Sequence, residues 1–513
     1  MEQGLREKIG QLFMVGFDAL QADEHIKTLI REKKVGGVIL FRRNVHTPAQ
    51  VSALCRELQE INAEVSDIPL LISIDQEGGM VMRIEQGVTP IPAAMAFQAA
   101  GSIEDCERMN QISGDEMRQV GINMLLAPVL DVNNNRNNPV IGVRAYGEDA
   151  ATVIDYGMAA MRGQRASGVA VTAKHFPGHG DTAIDTHYAM ALVPHDKERL
   201  HAVELAPFRA AIAGGVDAIM TAHVVFPAFE ADTSVPATLS KGVLTDLLRG
   251  EMQYQGVVIT DCLEMAAIAD GIGIAQGAIA TLQAGADIVL ISHREAQQTA
   301  AIEAVIAAVE RGDIAISRID AACARVAELK RNRAVRDWRE RPVAPPALMQ
   351  PAAMALSQLL QKAALRVQGD YRPLDAGLPV TLLTVEVRSR SEIDEVALGR
   401  NKEARSSMLP ALLEAGLDVR EYALSAEALD EEVNEAIAFA QGAQQIVLQT
   451  YNAMFVDGQR RLVEALPHDK LWLVAGRLPY DLDLAPHAQG RLAAFGCRPA
   501  ALVPVVEKLA GKA

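Results

Sequence analysis

Gly256-Val257-Val258-Ile259-Thr260-Asp261 is a short, β-rich, uncharged run that ends on a carboxylate. It is continuously apolar rather than alternating, the pattern of a parallel strand buried on both faces. Seven further runs of this kind lie at Leu12 to Phe17, Gly37 to Phe41, Leu70 to Asp75, Met124 to Asp131, Val169 to Ala173, Ala218 to Ala222 and Asp287 to Ile291. Longer helical patterns separate them. Thr47-Pro48 reads as an N-cap with proline at the first helical position, and Val51, Leu54, Leu58 and Ile61 then recur on one helical face. Ser102 opens another helix, and Gly121 and Gly168 stand where C-terminal glycines belong. Eight strands alternating with helices over residues 1–330 predict a (β/α)8 barrel, with a doubly wound open sheet as the alternative.

Residues 331–351 change character, with Trp338 and Pro345-Pro346 among few periodic apolar positions, and read as a linker. Beyond it, residues 352–513 carry buried-strand patterns at Val380 to Val387, Ile446 to Thr450 and Leu471 to Ala475. A smaller α/β sandwich domain with a mostly parallel sheet is expected there. The 513 residues exceed one ordinary core, and half of them are apolar. A net charge of −16 disfavours nucleic acid or an anionic membrane as partner. No basic, apolar leader opens the chain, and no run reaches the roughly 18 to 20 apolar residues that cross a bilayer. Five scattered cysteines without a Cys-x-x-Cys pair suit a reducing compartment, so a cytoplasmic location is expected.

In such a barrel the reactive groups gather where the strands end, because the following loops converge on one mouth. Asp75-Gln76-Glu77-Gly78-Gly79 follows the third strand. Asp131 ends the fourth, with Arg144-Ala145-Tyr146-Gly147 downstream. Lys174-His175, His223 and Asp261 end the fifth, sixth and seventh. For a chain only 22% charged, that is a concentration. Asp261 is either an N-cap for the next segment or a reactive group. The loop Lys174 to His187 is densely ionisable and admits three readings: a polar surface loop, a metal site or a proton-transfer site. His175 and His179 have the spacing of a helical zinc pair, but Pro177-Gly178 breaks any helix between them. The stretch from Asp131 fails as a calcium loop, with Arg136 at its sixth position and Gly142 at its twelfth. Asp185 and His187, two apart, can share a side of an extended segment, where a carboxylate raises imidazole basicity. With a carboxylate nucleophile such as Asp261, that pair supplies the parts for glycosyl transfer with retention.

These residues resemble glycoside hydrolase family 3, in its β-N-acetylhexosaminidase branch. The matching pieces are Lys174-His175-Phe176-Pro177-Gly178-His179-Gly180-Asp181-Thr182, Asp185-Thr186-His187, Asp75-Gln76-Glu77-Gly78-Gly79, Asn138-Pro139-Val140-Ile141 leading to Arg144, and Thr260-Asp261. The resemblance implies Asp261 as nucleophile, His187 as acid/base and Asp185 as its polarising partner. It implies that Asp75, Arg83, Arg144, Lys174 and His175 hold the sugar hydroxyls. The activity so implied is exo-acting, retaining removal of terminal β-linked N-acetylglucosamine from muropeptides or chitooligosaccharides, without metal or organic cofactor and with a small carbohydrate as partner. Phosphorolysis through the same intermediate, a family 3 β-glucosidase and an inactive sugar-binding protein are the alternatives. Met80, Ala145 and Thr186 depart from residues common in relatives, and bear on aglycone preference.

Overall fold

The computed structural model describes residues 2–183, 190–342, 344–386 and 407–512. Its first sheet contains β1 (Phe13–Val15), β2 (Gly37–Leu40), β3 (Leu71–Ile74), β4 (Met124–Leu125), β5 (Ala170–Phe176), β6 (Ala218–Thr221), β7 (Val257–Ile259) and β8 (Val289–Ile291). Each strand pairs in parallel with its sequence neighbour from β1 to β7, and β8 returns to β1. A bridge between Ile259 and Ile288 joins β7 to β8, so the sheet closes on itself. This is the barrel rather than the open sheet. Seven of the eight strands fall inside the predicted runs, β5 runs three residues past its run to Phe176, and the strand residues are buried, as strands packed on both faces require.

The helices begin and end on the expected residues. Thr47 accepts from the Gln50 amide with Pro48 at the first turn, and Ser102 accepts from the Asp105 amide. Gly121 (φ +97°) and Gly168 (φ +87°) take the left-handed conformation just past two helix ends. Val51, Leu54, Leu58 and Ile61 face the core.

At the N-terminal end of the barrel, Asp287 is fully buried before β8. Its Oδ1 accepts from Arg318 Nη2 and Arg325 Nη1, each at 3.0 Å. Its Oδ2 accepts from Arg249 Nη2 at 2.6 Å and the Val258 amide at 3.0 Å.

After β8, the region read as a linker holds a short helix, Arg333–Arg336, and a buried Trp338 beneath the Arg56 guanidinium. The helix Pro351–Ala364 lays Leu356 and Leu360 into the apolar cluster of the barrel, and Ser357 bonds the Pro90 carbonyl.

The second sheet consists of β9 (Arg366–Gln368), β10 (Val380–Val385), β11 (Val419–Leu424), β12 (Gln445–Thr450), β13 (Leu471–Ala475) and β14 (Gly490–Ala493). Their order is β9-β14-β13-β12-β10-β11, parallel except for β9 on one edge. Apolar clusters cover both faces, giving the expected mostly parallel α/β domain. The sequence reading found β10, β12 and β13; Val387, the last residue of the expected run, lies outside the described residues. It passed over β11, an edge strand whose Arg420, Glu421 and Tyr422 interrupt the apolar pattern. Among the described residues, no helix is long and apolar enough to cross a membrane, and no disulfide is formed.

Candidate active site

The loops after the barrel strands enclose roughly 670 Å3 of space, part of it open to solvent. Phe41 lines it from the end of β2, Asp75 and Glu77 from β3, and Arg144 from the β4 loop. Lys174 and His175 line it from β5, Met220 from β6, Asp261 and Cys262 from β7, and Ser292 and His293 from β8. Seven strands thus contribute to one cavity at the C-terminal mouth, where the barrel geometry places it.

One part of the wall is a charged clamp. Lys174 Nζ lies 2.7 Å from Asp75 Oδ1 and 2.7 Å from Glu77 Oε1. Arg144 grips Glu77 with two parallel bonds, Nε to Oε2 and Nη2 to Oε1, each at 2.8 Å. Arg83 Nη2 stands 3.6 Å from Asp75 Oδ2. Burial opposes charge on Glu77, but Arg144 and then Lys174 outweigh it and hold the carboxyl well below its usual range. Burial likewise opposes charge on Lys174, and Asp75 with Glu77 outweighs it, so its ammonium is favoured. Buried charges persist when paired this closely. Glu77 was within the quoted motif but carried no predicted role; it is the carboxylate that joins Arg144 to Lys174.

A second cluster fixes the histidines. His175 Nδ1 contacts Asp131 Oδ2 at 2.7 Å, and Asp131 Oδ1 accepts from the amides of His175 at 3.2 Å and His179 at 2.7 Å. Burial works against ionising Asp131, but His175 and His179 overcome it and lower its pKa. That contact takes up Nδ1, so Nε2 is the remaining ring nitrogen of His175. The peptides Lys174–His175 and Phe176–Pro177 are cis. His179 is buried, which pushes its pKa down to about 4 against the attraction of Asp131, so it is neutral at neutral pH. Thr182 Oγ1 lies 2.9 Å from His179 Nδ1. Asn138 ties this loop to the β4 loop, donating to the carbonyls of His179 (2.8 Å) and Gly180 (3.0 Å). The two loops are so close at Gly180 that a Cβ there would sit 1.7 Å from the Val132 carbonyl oxygen. The histidine pair therefore lies on a strand and turn, not on a helix.

Asp261 lines the cavity beyond β7, and its Oδ1 accepts from the Cys262 amide at 2.7 Å. The next helix, Ala266–Ala269, is preceded by Met265, so Asp261 is not its N-cap. His223, fully buried, holds the adjoining segment: Nε2 meets the Cys262 carbonyl at 2.9 Å and Nδ1 meets Thr238 Oγ1 at 2.8 Å. Glu264 anchors the same segment to the β8 loop, accepting from the amides of Ser292, His293 and Arg294. Among the described residues, two groups bring potential metal-ligating atoms within 4.8 Å of one another: Cys262, Glu264 and His293, and Asp181, His195 and Glu204. In each a carboxylate is already engaged, Glu264 by the three amides and Glu204 by Arg199 and Asn134.

The structure thus brings Asp75, Arg83, Arg144, Lys174, His175 and Asp261 to one cavity. Asp185 and His187 lie outside the described residues, as does Thr186. Glu77, Asp131, His223 and Glu264 were not assigned roles from sequence, although the first three stand at strand ends. Met80 and Ala145 are buried away from the cavity lining. Met80 packs with Val385, Tyr451 and Cys497 of the second domain, and Ala145 with Val129, Val140 and Ile141.

Residues 4–329 match the profile described as the glycosyl hydrolase family 3 N-terminal domain. Beta-hexosaminidase A of Pseudoalteromonas piscicida is 38% identical over 327 residues, 60% of this chain and 54% of that protein, so the matched region spans just over half the relative's length. A beta-hexosaminidase of Stenotrophomonas maltophilia is 35% identical over 290 residues, covering 55% of this chain and 84% of that one. The solved structure of a family 3 beta-N-acetylglucosaminidase from Paenibacillus sp. str. FPU-7 shares 45% identity with a TM-score of 0.92, over 99% of this chain and 97% of that one. With the family profile spanning the whole barrel and that structure spanning both domains, this chain belongs to glycosyl hydrolase family 3.

Proposed function

We propose that the chain removes a terminal β-linked N-acetylglucosamine with retention of configuration. The observation that carries this reading is one cavity holding a closely paired clamp of Asp75, Glu77, Arg144 and Lys174 together with Asp261. Carboxylates and cationic donors fixed in place suit vicinal hydroxyls, and they align the anomeric carbon for attack. The Asp261 carboxylate attacks that carbon while His187 protonates the leaving glycosidic oxygen, which departs with the bonding pair. His187, polarised by Asp185, then takes a proton from water, and the resulting hydroxide displaces Asp261 from the sugar. Protein groups perform both steps. A cytoplasmic setting, with muropeptide or chitooligosaccharide fragments as substrates, fits cysteines that form no disulfide.

Aryl β-glycosides with and without the N-acetyl group test the substrate class. Cleavage of the N-acetylglucosaminide, with the β anomer released first by NMR, is expected; cleavage of the β-glucoside alone would sink the reading. His187→Ala should spare substrates with good leaving groups in the first step, and equal losses on activated and unactivated substrates would contradict its acid role. Product analysis with phosphate present separates hydrolysis from phosphorolysis.

A further inference from the structure

We infer that the second domain completes the sugar site, bracing from behind the two barrel loops whose side chains form the charged clamp. This rests on the functional reading above for its substrate, but its evidence is separate. The loop after β3 folds into a small hairpin, Gln76–Gly78 against Val81–Met82. Its cavity side presents Asp75, Glu77 and Arg83. Its opposite side is held by the second domain. Met80 is 1% exposed among second-domain side chains, and Arg498 Nη2 donates to the Met80 carbonyl and to Glu85 Oε1, both at 2.9 Å.

The loop after β4 has its own anchor. Asn133 Nδ2 donates to the Tyr480 hydroxyl at 3.0 Å, and Asn133 Oδ1 accepts from the Gly142 amide at 3.1 Å. Gly142 opens the single turn Gly142–Arg144, and it lies against Leu478 so closely that a Cβ there would be 3.1 Å from that side chain. The two loops then meet inside the cavity through the paired bonds of Glu77 and Arg144. Loops by themselves are the mobile parts of a barrel, whereas a clamp works only when its atoms stay within roughly 0.5 Å of the productive geometry. Arg498 and Tyr480 are positioning residues: neither lines the cavity, and each acts through the loop it touches.

Kinetics on an aryl β-N-acetylglucosaminide, with hydrogen exchange of the full-length chain, provide the test. Arg498→Met and Tyr480→Phe should each lower kcat/KM about 10- to 100-fold and speed amide exchange in residues 76–85 and 133–144 respectively. Combined with Glu77→Gln, Arg498→Met should be markedly non-additive, because both act through one hairpin; general loosening of the fold would be additive. Arg366→Ala, which removes an exposed contact to Gln98 between the same domains but touches neither loop, should keep wild-type kinetics. Wild-type kinetics and exchange in the Arg498 and Tyr480 variants, or an equal loss in Arg366→Ala, would overturn the inference. If Arg498→Met fails to fold, Arg498→Lys and Tyr480→Phe decide. If the wild type leaves the aryl substrate intact, the functional reading falls, and exchange in residues 76–85 still decides the bracing.

Discussion

Asp287 at the N-terminal end of the barrel and Glu77 at its C-terminal end are both buried carboxylates gripped by arginine, but they keep different company. Around Asp287 the arginines also bind nearby backbone. Arg249 also bonds the carbonyls of Tyr254 and Gly256, and Arg318 also bonds that of Leu282. Around Glu77 the partners border a cavity. Lys174 carries three N–H donors, of which Asp75 and Glu77 account for two. The same ionic chemistry therefore ties side chains to backbone at one end and lines the strand-end cavity at the other. What separates the two ends is where the partners lead: to backbone carbonyls around Asp287, and through Lys174 to a second carboxylate, Asp75, around Glu77.

That contrast can be broken most decisively at Asp261. Asp261→Ala should lower turnover by at least about 10^4-fold while leaving the unfolding transition nearly unmoved; calorimetry and initial rates on one preparation check both halves. Asp287→Ala should do the reverse. Leaving three arginines around an emptied position costs about 3–5 kcal/mol in urea unfolding, with KM of the folded fraction unchanged. Glu77→Gln stands between them: it should cut kcat/KM on the order of 10^2-fold, about 2.7 kcal/mol, and destabilise far less than the Asp287 change. A larger stability loss at Glu77 than at Asp287 would erase the distinction.

The last expected effect is a pH dependence. His179 has its pKa lowered from 6.5 to about 4 in the folded protein. Between those values the unfolded chain binds a proton that the folded chain refuses, so stability falls as pH drops through this window and is unaffected above it. The contribution is about 3 kcal/mol, and His179→Gln should flatten the melting temperature between pH 6.5 and 4.

The barrel was legible because its strands are buried on both faces and so appear as unbroken apolar runs, and because the ionisable residues follow them directly. Asp75, Lys174 and Asp261 were visible for that reason. Glu77 was harder to assign: its role depends on meeting Arg144 and Lys174, which lie far along the chain. Asp131 presented the same difficulty, since two of the donors it accepts from are backbone amides of the histidine loop. Met80 was read as bearing on aglycone preference; only its packing with Val385, Tyr451 and Cys497 shows that it faces the other domain. The edge strand Val419–Leu424 escaped because a sheet edge tolerates charged residues that a central strand excludes.

The ring closure has a consequence for how the chain is made. β8 pairs with β1 along Phe13–Val289, Met14–Leu290 and Val15–Ile291, and with β7 through the Ile259–Ile288 bridge. During synthesis every clamp residue, and Asp261 itself, leaves the ribosome before this last strand. Until it arrives, β1 and β7 are both open edges, and pairing them through β8 demands contacts between the first and last parts of the domain, a slow step that leaves strand edges exposed to aggregation. The nascent barrel therefore carries Asp261 on an unfinished rim, and the ring of strands around the cavity is complete only when the eighth strand arrives.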